Sequence, residues 1–129
     1  MALVPTLTLN DTTTFSDVIN FSVTDSLTTA APAQALSLET VTTTGGNHII
    51  IAAGTAVAYL FVRHTGTTDG STGTAQLLDL ENTDNEAFAR LGAGEFLFMP
   101  FCHAGASVGV QLQSASGNIQ VEYAYWTKG

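Results

Sequence analysis

The sequence predicts an all-β fold, a single-domain β-sandwich with jelly-roll-like connectivity and an extended N-terminal arm. Three observations carry that prediction. Apolar and polar residues recur with a period of two throughout, while no helical period persists for the 11 or so residues that an amphipathic helix needs. The runs are rich in β-branched and aromatic residues, as in Glu95-Phe-Leu-Phe-Met-Pro-Phe101, Ser107-Val-Gly-Val-Gln-Leu-Gln113 and Asn118-Ile-Gln-Val-Glu-Tyr-Ala-Tyr-Trp126. The breaks hold glycine and small polar residues that supply tight turns, as at Gly45-Gly46-Asn47, Gly54, Gly92-Ala93-Gly94 and Ser116-Gly117-Asn118.

Taken in order, strands are predicted at Leu3–Leu9, Val18–Thr24, Ala35–Thr43, His48–Ala53, Ala56–His64, Ala75–Glu81, Ala87–Leu91, Glu95–Met99, Ser107–Gln113 and Asn118–Trp126. Eight to ten short strands with turns every 8–12 residues suit a jelly roll. Residues 1–129 form one domain, of which 1–15 are an arm or edge strand: Pro5 cannot donate to a ladder, and Leu3, Leu7 and Leu9 alternate with threonine around it. Thr24–Ala33, interrupted by Pro32, also reads as edge or arm. Gly66-Thr-Thr-Asp-Gly-Ser-Thr-Gly73 is expected to be a mobile surface excursion.

Composition narrows the function. The chain has 129 residues, 11% of them charged and 45% hydrophobic. That is too apolar for disorder and far less charged than an ordinary soluble domain. The net charge is −8, with Arg63, Arg90 and Lys128 as the fixed cations. Three scattered cations give no footprint for a phosphate backbone, so no nucleic-acid ligand is expected, and anionic membranes are disfavoured for the same reason. Neither a signal peptide nor a membrane span is predicted, and synthesis in the cytoplasm is the expectation. Cys102 is the single cysteine, so stability has to come from packing or assembly.

No catalytic, cofactor-binding or metal-binding set is predicted. Cys102 and His103 are adjacent on a strand and point to opposite faces, which bars them from forming a dyad with each other. Cys102 reads as a small buried hydrophobe. His48, His64 and His103 are too isolated in sequence to suggest a metal site. Asp79-Leu-Glu-Asn-Thr-Asp-Asn-Glu86 is the densest acidic stretch, but it lacks the mid-loop glycine of a calcium loop. Leu78 and Leu80 are expected inside, which turns Asp79 and Glu81 towards water. Phe96 and Phe98 are expected to share an interior face, as are Tyr123 and Tyr125 with Ile119 and Val121. Trp126 falls on the face opposite those tyrosines and is a candidate for contact with another chain. With Leu3, Pro5, Leu7, Leu9 and Phe15 of the arm, it makes up the predicted interface. The sequons at Asn10 and Asn20 carry little weight without a secretion signal.

Gly94-Glu-Phe-Leu-Phe-Met-Pro-Phe101, Val108-Gly-Val-Gln-Leu-Gln113 and Ile119-Gln-Val-Glu-Tyr-Ala-Tyr-Trp126, within an acidic, cysteine-poor chain rich in Thr, Ala and Gly, resemble the ends of small all-β virion proteins of tailed double-stranded DNA bacteriophages. The capsid decoration, or cement, proteins are the type they most resemble. The resemblance implies a structural protein with no catalytic residues, bound to the major capsid protein on the outside of the head and stabilising the shell against packaged DNA. It also implies self-association, with a homotrimer as first expectation and a homodimer as second. A tail or fibre component and a carbohydrate-binding β-sandwich module are the other classes the same composition suits.

Overall fold

The computed structural model describes residues 2–10, 20–42, 48–103 and 108–128, with the backbone alone for residues 30–35, 102, 103 and 128. The described residues form eleven strands: β1 (Ala2–Leu3), β2 (Thr6–Asn10), β3 (Asn20–Thr24), β4 (Leu27–Val41), β5 (His48–Ile51), β6 (Val57–His64), β7 (Leu78–Asn82), β8 (Ala87–Leu91), β9 (Phe96–His103), β10 (Val110–Ser114) and β11 (Ile119–Lys128). No helix occurs among the described residues.

The strands build a β-sandwich. One sheet has the order β1-β4-β11-β6-β9 and the other β5-β10-β7-β8, while β2 and β3 pair with each other outside both. All pairings are antiparallel. From β4 onward the partners nest: β4 lies beside β11, β5 beside β10, β6 beside β9 and β7 beside β8. The chain from β4 to β11 is thus one long hairpin, turned at β7–β8 and rolled so that its pairs alternate between two layers.

One core fills the space between the layers. The five-stranded sheet contributes Val41, Leu60, Val62, Ile119, Val121 and Tyr123, and the four-stranded sheet Ile51, Leu78, Leu80, Leu91, Val110 and Leu112. Burying each large aliphatic side chain contributes about 1.5–3 kcal/mol, so these positions hold the sheets together. His64 is also fully buried, with both ring nitrogens engaged: Nε2 with the Gln76 carbonyl at 2.9 Å, and Nδ1 as acceptor from the Gly66 amide at 2.9 Å.

Two expectations are corrected here. Leu97, Met99 and Phe101 pack against the core, whereas Phe96 and Phe98 turn outward. The run Phe96–Phe101 is apolar on both faces, so alternation alone leaves its parity open, and a shift of one residue inverts every side chain. Pairing with β6 decides it, since Phe98 lies opposite Phe61 and Phe96 opposite Arg63 on the outer face. Residues 27–33 belong to β4, not to an arm. Pro32 is accommodated because register shifts against β11 lengthen β4 between Gln34 and Thr29, and because among the described residues none pairs with 29–34 on the side away from β11.

The loop 66–73 is built rather than loose. Thr67 and Gly73 form a bridge, and Thr68 donates its amide to the Thr72 carbonyl at 2.8 Å. Asp69 accepts the amides of Thr72 at 2.7 Å and Ser71 at 2.9 Å, and the Thr72 hydroxyl at 3.1 Å. These donors, led by the Thr72 amide, hold its carboxyl below the ordinary carboxylate range.

Candidate interaction surface

The outward residues of the two sheets differ in chemistry, although Ile49 and Phe88 are exposed on the four-stranded one. On the four-stranded sheet, Arg90 pairs with Asp79, and Gln111 Nε2 donates to Glu81 at 3.1 Å and to Asn85 at 2.9 Å. Glu81 does face outward as expected, yet it is only 6% exposed beneath this network. The Asp79–Glu86 stretch is spent on its own hairpin. Asn82 accepts the amides of Asp84 and Glu86 through Oδ1, donates to the Glu86 carboxylate, and the left-handed Asn85 (φ 66°) closes the turn.

The outer face of the five-stranded sheet is apolar and aromatic. Register places its side chains in rows across β4, β11, β6 and β9. Leu38, Glu122, Arg63 and Phe96 make one row, and Ala124, Phe61 and Phe98 the next. Trp126 and Tyr59 follow, opposite each other on β11 and β6. The rings touch: Tyr59 stacks on Phe98 at 6.3 Å with 8° between planes, and Phe98 meets Trp126 edge-on at 6.4 Å. The one charged pair in these rows, Arg63 with Glu122 at 3.3 Å, is self-compensating.

The N-terminal hairpin is the second component. In β2 and β3, Leu7 faces Val23 and Leu9 faces Phe21, while Thr6 and Thr24 share a hydroxyl hydrogen bond at 2.8 Å and Thr8 and Ser22 one at 3.1 Å. The hairpin is therefore amphipathic, with a Thr/Ser ladder on one face and four apolar side chains on the other. Those four are 43–52% exposed. The hairpin is anchored by the pairing of Ala2 and Leu3 with Thr28 and Leu27, and by the Asp25 amide donating to the Pro5 carbonyl. Pro5, Thr6 and Leu7 line a cavity of about 520 Å³ with Phe61, Phe96, Leu97 and Phe98 of the sheet.

Of the interface residues expected from sequence, Pro5, Leu7 and Trp126 thus lie at one surface. Leu3 is half-buried beside β4, Leu9 sits further out on the hairpin, and Phe15 lies outside the described residues. Of the segment expected to be an arm or edge strand, residues 2–3 pair with β4 and residues 6–10 with β3, while residues 11–15 lie outside the described residues. Tyr59, Phe61, Leu36, Leu38, Phe21 and Val23 were not anticipated at this surface. The matching alternation of Thr-Leu-Thr-Leu-Asn10 and Asn20-Phe-Ser-Val-Thr24 is the signal that would have joined β2 to β3.

His48 meets Glu39 at 3.3 Å and the Thr42 amide at 3.2 Å, well accounted for as a local tie between β4 and β5. Among the described residues no three His, Cys, Asp or Glu side chains converge as a metal site would need. The side chains of Cys102 and His103 lie outside the described residues. No helix among the described residues is long and apolar enough to cross a membrane. No family model, curated protein or solved structure matches the chain.

Proposed function

We propose that this chain is a structural virion protein, a capsid decoration protein that binds the outer surface of a tailed-phage head and stabilises it. The observation that carries the reading is the two-faced sandwich. One sheet turns outward a largely hydrogen-bonded polar surface on which Ile49 and Phe88 are also exposed, and the other an almost uncharged aromatic one with an amphipathic hairpin beside it. Such a body works by being laid against other proteins. Repetition over a lattice then makes individually weak contacts strong through effective concentration. Few long charged side chains need ordering on docking, which limits the entropy lost. The nesting of β4–β11 around β7–β8, in two four-strand groups, supports a jelly-roll body for this role.

The partners in this reading are the major capsid protein and further copies of the chain. The outward rings also favour a second reading, a carbohydrate-binding module. The cavity beside them, however, offers Thr6 as its one side-chain hydroxyl, and sugars require several convergent polar groups. A tail or fibre component is the third.

Fractionation of particles from the source decides among them. The chain is expected with heads, in many copies, and purified protein added to heads that lack it should bind saturably and raise the temperature at which they release DNA. Recovery with tails alone, or glycan binding in place of head binding, overturns the proposal.

A further inference from the structure

We infer that copies of this chain join by laying the apolar face of the β2–β3 hairpin of one copy over the aromatic outer face of the five-stranded sheet of the next. The inference deepens the proposed self-association, but it concerns free protein and needs no capsid.

The hairpin is the starting point. A two-stranded hairpin alone in water is marginally stable, and in this one Leu7, Leu9, Phe21 and Val23, on one face, are about half exposed. At its base Pro5, Thr6 and Leu7 line a cavity together with Phe61, Phe96 and Phe98 of the sheet. The chain therefore carries two apolar surfaces, side by side, that it does not bring into full contact with each other.

Charge points to a second copy as the occupant. Molecules of net charge −8 repel, so they meet at the least cost where neither contributes net charge. Strands β2 and β3 contain no charged residue, and the rows from Leu38 to Trp126 carry only the mutually neutralised Arg63 and Glu122. Area agrees. At 43–52% exposure the four hairpin side chains leave on the order of 300 Å² of apolar surface, the size at which a contiguous patch marks a contact site. Leu36 and Leu38 at one edge of the sheet and Phe96 at the other, at 58–64% exposure, leave about as much again, divided by the Arg63–Glu122 pair and bordered by the rings of Phe61, Phe98 and Trp126. In a dimer in which each copy lays its hairpin on the other's sheet, both patches of both copies share one interface, roughly 600 Å² per partner, close to the roughly 800 Å² of a standard interface. Such a reciprocal exchange closes as a two-fold dimer, in which hairpin meets sheet twice.

The test uses two full-length variants, Leu9→Glu in the hairpin and Phe96→Glu on the sheet, both at exposed positions outside the core. Sedimentation velocity across the micromolar range should show an oligomer for the unaltered chain. Each variant alone should dissociate at a concentration at least about tenfold higher, since a charge would sit in an apolar contact. Mixed, they should form a one-to-one heterodimer, because one sound hairpin still meets one sound sheet. An unaltered chain that stays monomeric, variants that assemble normally, or folded variants that fail to pair when mixed would each overturn the inference. Should thermal melts show either variant unfolded, Val23→Glu and Leu38→Glu replace them with the same expected outcomes. A monomer that still decorates heads would sink this inference and leave the proposed function standing.

Discussion

Gly109 shows how little room single residues have at the rim of the core. A Cβ built on it runs into the carbonyl oxygen of Ile51, and comes within 2.9 Å of the Ala53 nitrogen, both backbone atoms that cannot swing aside. Its amide also donates to the Thr83 hydroxyl at 2.8 Å, and its carbonyl accepts from the Thr83 amide at 3.2 Å, so the loop before β10 is clamped to the β7–β8 turn. Gly109→Ala should therefore cost about 2–3 kcal/mol through overpacking, read as a lower urea midpoint at unchanged slope. An unchanged midpoint would show that the β5 end yields. At this scale the sequence was legible wherever one face of a strand is polar. Leu78 and Leu80 go inside because Asp79 and Glu81 cannot, and Ile119, Val121 and Tyr123 are sorted in the same way. It was not legible at Phe96–Phe101, where both faces are apolar and only the pairing with β6 tells them apart.

At the scale of elements, most strands could be placed from alternation and turn residues, and the hairpin turn at Asn82–Glu86 and the turn between sheets at Gly92–Glu95 fall where the turn-forming residues stand. β4 was the exception. Its first half is small and threonine-rich with a proline, a composition that carries no core signal, and what makes it a strand is its long partner β11. The N-terminal segment was legible as a strand broken at Pro5, but its partner β3 was not, since local pattern cannot say which alternating segment pairs with which. The hairpin contributes nothing to the buried core cluster. A variant lacking residues 2–24 should hence keep its β-sheet spectrum and melt within a few degrees of the full chain, while losing self-association and attachment to heads. Unfolding of that variant would make the hairpin part of the core assembly. Unimpaired attachment would move the grip elsewhere, to Trp126 and its neighbours or to the Asp79–Glu86 turn.

For the whole molecule, the decisive property is asymmetry between its two outer faces, which no single residue shows. Composition revealed a weakly charged, apolar chain, but both sheets draw on the same pool of residues, and only the strand order gathers Leu38, Phe61, Phe96, Phe98 and Trp126 onto one side. A sandwich with one mainly polar and one mainly apolar outer face suits the proposed position between neighbours and solvent. The central claim, that this body decorates a phage head, is tested most directly by a cryo-electron reconstruction of particles from the source. The account predicts two-layered β-sandwich density on the outer capsid surface, with the aromatic face of the five-stranded sheet and the β2–β3 hairpin turned towards neighbouring subunits and the Asp79–Arg90 face towards solvent. Density for this chain confined to the tail, its absence from the particle, or a head-bound sandwich with its aromatic face turned to solvent would contradict it.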